Sequence, residues 1–374
     1  MNSSIEILLK LVRIAMGWEE DFSIPDTVNW KEVLTLAKEQ GVNAIVVDGL
    51  EALKLRTPEL LTSPEDKLLL LEAIGSLQME ELNYMHHKNA LIQISKQLSS
   101  KSIPFLLMKG FACGKNYPIP RHRACGDIDI YPGAKFKESD DLFRSLGYGE
   151  ERYYYRHSVF IVEDVMVENH RVLSDLRGPK RQTFAFESIL ENEAQKSIEN
   201  SEDVVIEGTK FPGAKYPNAN FNALFLPWHV SAHFMFERVT LRHLLDWALF
   251  LTKEGKFIDL ELFLEAKKKY TFGFSKIADI ITNLSIRYFK MPTNQIPDVL
   301  TCDAMNIDSQ LADKVLDYMF TGQSRTIEKS VWKFRWNNIK LVWKNRWKYK
   351  EIYNMSVAGF LYQKAIGVIF KVGE

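Results

Sequence analysis

Apolar residues recur at i, i+3 and i+4 over the first hundred positions and again after Pro217, whereas the stretch between breaks into short apolar runs. The first texture predicts helices and the second predicts strands. Asn29 stands ahead of Trp30, Val33, Leu34 and Ala37, which marks a helix start with Gly41 as its stop. A second helix is expected over 42–53. Ser63-Pro64-Glu65-Asp66 supplies a cap, a first-turn proline and acidic residues for a long helix over 67–98, so residues 1–100 read as helix throughout. In the middle region, 105–108, 127–131, 159–162, 165–170 and 204–206 read as strands, with short helices at 112–116 and 140–146. Glu163-Asp164 reads as the turn of a hairpin. Helices at 224–236, 241–252, 260–269, 274–289 and 311–320 complete the chain. The expected class is α+β: a small mixed sheet over 101–215, between a helical region at 1–100 and a helical domain at 216–374.

Composition narrows the function classes. In 374 residues, 48 Lys+Arg balance 48 Asp+Glu, which excludes the strongly basic type of nucleic-acid binder. A hydrophobic fraction of 46% is enough for a real core. Cys113, Cys125 and Cys302 are odd in number and irregular in spacing, so neither a disulfide framework nor a C-x-x-C metal site is expected. No apolar run reaches the ~20 residues of a membrane span, and the N-terminus turns acidic too early for a signal peptide. The expected location is the cytoplasm. One segment departs from this neutral texture. Trp332, Trp336, Ile339, Trp343 and Trp347 fall within about 80° on a helical projection, flanked by lysines. Burial of this stripe against the protein's own core is expected, with RNA or a membrane surface as the alternative partner.

The candidate chemistry lies in Lys109-Gly110 and Arg121-His-Arg123-Ala-Cys-Gly126-Asp127-Ile-Asp129-Ile. A period of two puts both carboxylates on one strand face and both isoleucines on the other. Two such carboxylates repel unless a cation lies between them, and Mg²⁺ prefers carboxylate oxygens. Lys109-Gly110 sits at a strand-to-helix junction, where backbone N–H groups and a cation can meet phosphate. On a later strand Glu168 and His170 share a face. Elsewhere His229 and His233 have i, i+4 spacing, but without the H-E-x-x-H glutamate they read as packed, satisfied histidines. Asp246 sits in an apolar stripe and needs a partner, Arg242 or a histidine. His122 reads as surface.

These residues resemble the nucleotidyltransferase superfamily, related to DNA polymerase β, and within it a bacterial group of uncharacterised nucleotidyltransferases. The likeness covers roughly residues 25–255 and includes the Asn29-Trp30 helix and the His229, His233 and Asp246-Trp247 helices. It departs at Gly110-Phe111, where the superfamily has Gly-Ser or Gly-Gly, and at Asn169, which replaces an apolar residue. The resemblance implies Mg²⁺-dependent transfer of a nucleoside monophosphate from an NTP such as ATP to a hydroxyl, releasing pyrophosphate. Asp127, Asp129 and Glu168 would be the catalytic acids and the ligands of two Mg²⁺ ions, with His170 supporting them from behind. Lys109, Gly110, Arg123 and, more weakly, Arg121 would bind the nucleotide. The acceptor hydroxyl could belong to tRNA or a protein in a toxin-like system. A nucleotide-binding or interaction protein without turnover is the alternative of a different class.

Overall fold

The structure is a computed structural model that describes residues 2–153, 156–174, 180–236, 238–270, 273–322 and 331–361. Four helices open the chain: α1 (Ser3–Ala15), α2 (Trp30–Glu39), α3 (Asn43–Arg56) and α4 (Pro64–Ser100). The expected caps are present, since the Asn29 and Ser63 side chains accept from Glu32 N–H and Asp66 N–H. The run is not helical throughout. Gly17, at φ 68°, turns the chain out of α1, and residues 16–29 form an irregular connection.

The sheet region contains β1 (Phe105–Met108), α5 (Lys109–Gly114), β2 (Ile128–Tyr131), α6 (Phe136–Ser145), β3 (Gly149–Tyr153), β4 (His157–Val162), β5 (Val165–His170), α7 (Lys180–Asn200), β6 (Asp203–Ile206) and β7 (Thr209–Lys215). Seven strands form one mixed sheet in the order β3-β4-β5-β2-β1-β7-β6. The central pairs β2–β5 and β1–β7 are parallel, and the others are antiparallel. Glu163 and Asp164 both take positive φ, 51° and 60°, as a two-residue hairpin turn requires. Strands β3 and β7 were not expected from the sequence. The first reads Gly-Glu-Glu-Arg-Tyr and the second carries Pro212 and Gly213, so neither shows an apolar alternation.

The two sheet faces meet different partners. Phe105, Leu107, Ile128, Ile130, Phe160 and Val167 pack with Tyr84, Leu91, Ile94 and Leu98 of α4 and Phe143 of α6. Leu106, Met108 and Tyr131, on the opposite face, join the larger helical core. That core is built with α8 (Ala219–Phe236), α9 (Leu241–Glu254), α10 (Leu260–Lys269), α11 (Phe274–Phe289), α12 (Asp298–Met305), α13 (Ser309–Thr321) and α14 (Val331–Lys344). The acid-bearing face of β2 therefore looks towards the helices rather than towards open solvent. Among the described residues, no helix is long and apolar enough to cross a membrane.

The aromatic stripe corrects one expectation. Trp343 is 62% exposed and Ile339 46% exposed. Trp347 is half-buried against Phe234 and Tyr318, while Lys348, one of the lysines flanking the stripe, is buried. The side chains of Trp332 and Trp336 lie outside the described residues. The physical reason is local. A 100° stripe needs one uninterrupted helix, but α14 ends at Lys344 and a wider turn over Lys348–Ile352 rephases the chain. Beyond that turn Tyr349 and Ile352 are buried, whereas Trp343 is not.

Candidate active site

Lys109 has φ 45°, an uncommon left-handed conformation for a residue with a Cβ. It makes the sharp turn from β1 into α5 that brings its ammonium back over β2. There Lys109 Nζ donates to Asp129 Oδ1 at 2.6 Å. The strand register supplies the other members. Asp129 pairs with Met108 of β1 on one side and with Glu168 of β5 on the other. Side chains of paired residues share a face, so the register alone places Glu168 beside the D-x-D acids. Asp127, Asp129 and Glu168 each offer an oxygen, and these lie within 4.8 Å of one another. His170 follows on the same face, its Nε2 2.8 Å from Asp129 Oδ1 and 3.2 Å from Glu168 Oε2. Carboxylates only accept, so that nitrogen carries the proton.

The electrostatics separate the two aspartates. Burial works to raise the Asp129 carboxyl, but Lys109 and His170 outweigh it and hold the group well below its ordinary value. Lys109 and His170 act on Asp127 only through their charge, since their hydrogen bonds go to Asp129. The Asp129 charge, helped by burial, pushes it up to about 6. Burial opposes the charge of Lys109, yet the three acids together raise its pKa. Glu168 is lowered on balance: burial raises it, and the His170 hydrogen bond overrides that. Asp129 Oδ2 is buried with no hydrogen-bond partner among the described residues. A carboxylate oxygen left bare in the interior, beside a second acid that is hard to ionise, fits a divalent cation bound by oxygen ligands.

The remaining expected residues fall in different places. Gly110 packs close to the β2 entry, where an added Cβ would sit 3.4 Å from the Asp127 carbonyl oxygen. Phe111 turns away and packs on Tyr84 of α4, ring centroids 4.8 Å apart. Asn169 also points away, donating to Asp140 Oδ1 at 2.6 Å, while Ser158 donates to the other oxygen of Asp140. Its polarity thus serves the packing under α6. Arg123 is buried and bidentate to Asp246, at 3.1 and 2.7 Å, and Tyr117 donates to the same carboxylate at 2.8 Å. The partner of Asp246 is therefore Arg123 from across the fold, not Arg242 or a histidine. Arg121 pairs with Glu81 at 2.6 Å and is absent from the residues lining the cleft described next. His122 is not on the surface: it is buried, 2.7 Å from Asp48 and 3.1 Å from Glu81.

Above the acids lies a cleft of about 660 Å³, the size of a small-molecule site. Its walls hold Lys109, Arg123, Asp127 and Glu168 together with residues that sequence reasoning missed: Arg156, His157, Arg238, Arg242 and His243. His157 was within reach. Counting back from the Glu163-Asp164 turn pairs it with His170, as observed. Its ring is pushed down to about 4, chiefly by burial. His243 carried no sequence signal, because only the packing of α9 on α8 brings it to His229 and His233. His229 was expected to be satisfied. Neither of its ring nitrogens has a hydrogen-bond partner among the described residues; its ring contacts are Phe225, His233 and His243. Burial, with help from nearby cations and histidines, pushes both His229 and His243 far below the ordinary histidine value, so both rings are neutral at pH 7.

Residues 26–283 match the uncharacterised nucleotidyltransferase family. No curated protein and no solved structure matches the chain. The family match spans well over half of the sequence, and the chain belongs to that family.

Proposed function

We propose that this member of a nucleotidyltransferase family transfers a nucleoside monophosphate from an NTP to a hydroxyl acceptor, with Mg²⁺ as cofactor and pyrophosphate as the leaving product. The observation that carries the reading is the juxtaposition of Asp127, Asp129 and Glu168 within 4.8 Å, with one Asp129 oxygen unsatisfied, beneath a cleft lined by cations. Asp127, Asp129 and Glu168 would hold the metal, which when bound supplies Lewis-acid stabilisation of phosphate charge.

The chain's own residues do the rest. Lys109 neutralises Asp129 in the free protein and lies ready to meet phosphate oxygens entering the cleft. His170 fixes the orientation of Asp129 and Glu168 by donating between them, the role that outer hydrogen bonds play at metal ligands. Gly110 keeps the backbone close, so that N–H groups at the start of α5 take the place of the missing hydroxyl. In this reading Arg123 shapes the cleft wall, since Asp246 already engages its fork, and Arg121 is committed to Glu81.

Titration calorimetry with Mg-ATP and the other Mg-NTPs tests binding, and pyrophosphate release in the presence of cell extract tests transfer. Binding that is lost in Asp127→Asn, with pyrophosphate released only by the wild type, supports the proposal. Failure of every Mg-NTP to bind the folded wild-type protein refutes it. Nucleotide binding without turnover under any acceptor mixture points instead to a nucleotide-responsive interaction protein.

A further inference from the structure

We infer that His229, His233 and His243 form a second metal site in this cleft, one for a divalent transition metal of the Zn²⁺ type. The inference does not depend on the nucleotidyl-transfer reading. His229 and His233 stand one turn apart on α8, and His243 comes from the first turn of α9. The ring centroids are 4.4, 5.9 and 5.4 Å apart, and one nitrogen from each ring lies within 4.8 Å of the other two.

Ordinary packing does not account for His229. A half-buried imidazole normally spends its donor and its acceptor on neighbours, yet His229 makes no hydrogen bond among the described residues. His243 Nδ1 lies 3.0 Å from the Thr240 hydroxyl. If Nδ1–H donates to that hydroxyl, the ring is oriented and Nε2 keeps its lone pair. Metal-bound histidines are held in this way by a partner on the second nitrogen. Three neutral nitrogen donors suit Zn²⁺ and its neighbours in the transition series, whereas the carboxylate cluster suits Mg²⁺. Three protein ligands leave a fourth position for water or for an oxygen of whatever occupies the cleft.

A competing geometry yields the opposite chemistry. The backbone N–H of Thr240 also donates to the same Nδ1 at 3.3 Å, the capping-box bond at the start of α9. If that bond prevails, Nε2 carries the proton and the cluster becomes a donor set for an anion. The hydroxyl contact is the shorter of the two, and the convergence of one nitrogen from each of three rings favours the metal.

The test uses the full chain without nucleotide. The protein is loaded with Zn²⁺, dialysed against metal-free buffer and assayed for retained metal, and a Co²⁺-loaded sample is examined for the intense visible bands of tetrahedral coordination. Wild type and Asp127→Asn should each retain about one equivalent of Zn²⁺ per chain. His229→Ala and His243→Gln should bind it at least tenfold more weakly, with unchanged circular dichroism. The wild-type Co²⁺ spectrum stands even if a variant fails to fold. No retained Zn²⁺ and no tetrahedral bands in the wild type overturn the inference. So does metal lost from Asp127→Asn but kept by the histidine variants. Inorganic triphosphate binding that needs the histidines, with no metal retained, overturns it in favour of the anion site. None of these outcomes bears on whether Mg-NTP binds at the acids.

Discussion

Asp127 and Asp129 are two residues apart on one strand face, yet replacing each by Asn should move stability in opposite directions. Asp129 is fully buried and answers Lys109 and His170. Its replacement strips a buried ammonium of its counter-ion, and breaking such a pair costs about 3–5 kcal/mol. Asp127 is half-buried and raised from an ordinary 3.8 to about 6 by its neighbour. At ~1.4 kcal/mol per tenfold change in proton affinity, its repulsion costs the folded protein roughly 3 kcal/mol at most, and about 1–2 kcal/mol once solvent screening is allowed for. The sign follows from proton linkage. The folded protein holds the Asp127 proton more tightly than the unfolded chain does. Stability therefore falls as pH rises from about 4 to about 6, and the full cost persists above that. Asp127→Asn should raise the melting temperature at pH 7.5, and the gain should shrink as pH drops below 6. Asp129→Asn should lower the melting temperature. Scanning calorimetry of both variants at several pH values, without metal, reads the difference. Two variants that shift the melting temperature in the same direction, or an Asp127→Asn gain that ignores pH, would refute the electrostatic division drawn between these acids.

Glu168→Gln should lower the turnover of nucleotidyl transfer more than its affinity for NTP, which separate kcat and KM measurements resolve. Asp246→Ala should destabilise by ~3–5 kcal/mol, because it leaves the buried Arg123 guanidinium unpaired; a denaturation midpoint equal to the wild type's would contradict this. Burial pushes the Lys348 ammonium from an ordinary 10.5 down to about 7, so the unfolded chain binds the extra proton between these values. Lys348→Met should therefore stabilise most at pH 7 and below, with the advantage fading towards pH 10, as melting curves across that range will show. Trp343→Ala should barely move the melting temperature, whereas Trp247→Ala, which removes a fully buried ring hydrogen-bonded to Thr282, should cost ~3–5 kcal/mol.

Much of the local structure was legible because its causes are local. Capping at Asn29 and Ser63, the hairpin at Glu163-Asp164 and the alternation of Asp127-Ile-Asp129-Ile depend on residues within a few positions of one another. The link from the D-x-D strand to Glu168 and His170 came from the family resemblance, and the parallel register of β2 with β5 supplies its physical basis. Pairings between distant segments were not legible. Arg123 with Asp246, His122 with Asp48 and His243 with His229 join residues brought together only by packing. The tryptophan stripe failed for the same kind of reason, since one change of helical phase after Lys344 decides which ring is covered. Periodicity and capping chemistry are properties of neighbouring residues, so the sequence by itself determined the strongly patterned elements, though not β3 or β7, and the face on which the acids stand. Which cation answers which carboxylate depends on how helices and sheet settle over a shared core, and only the tertiary structure decided that.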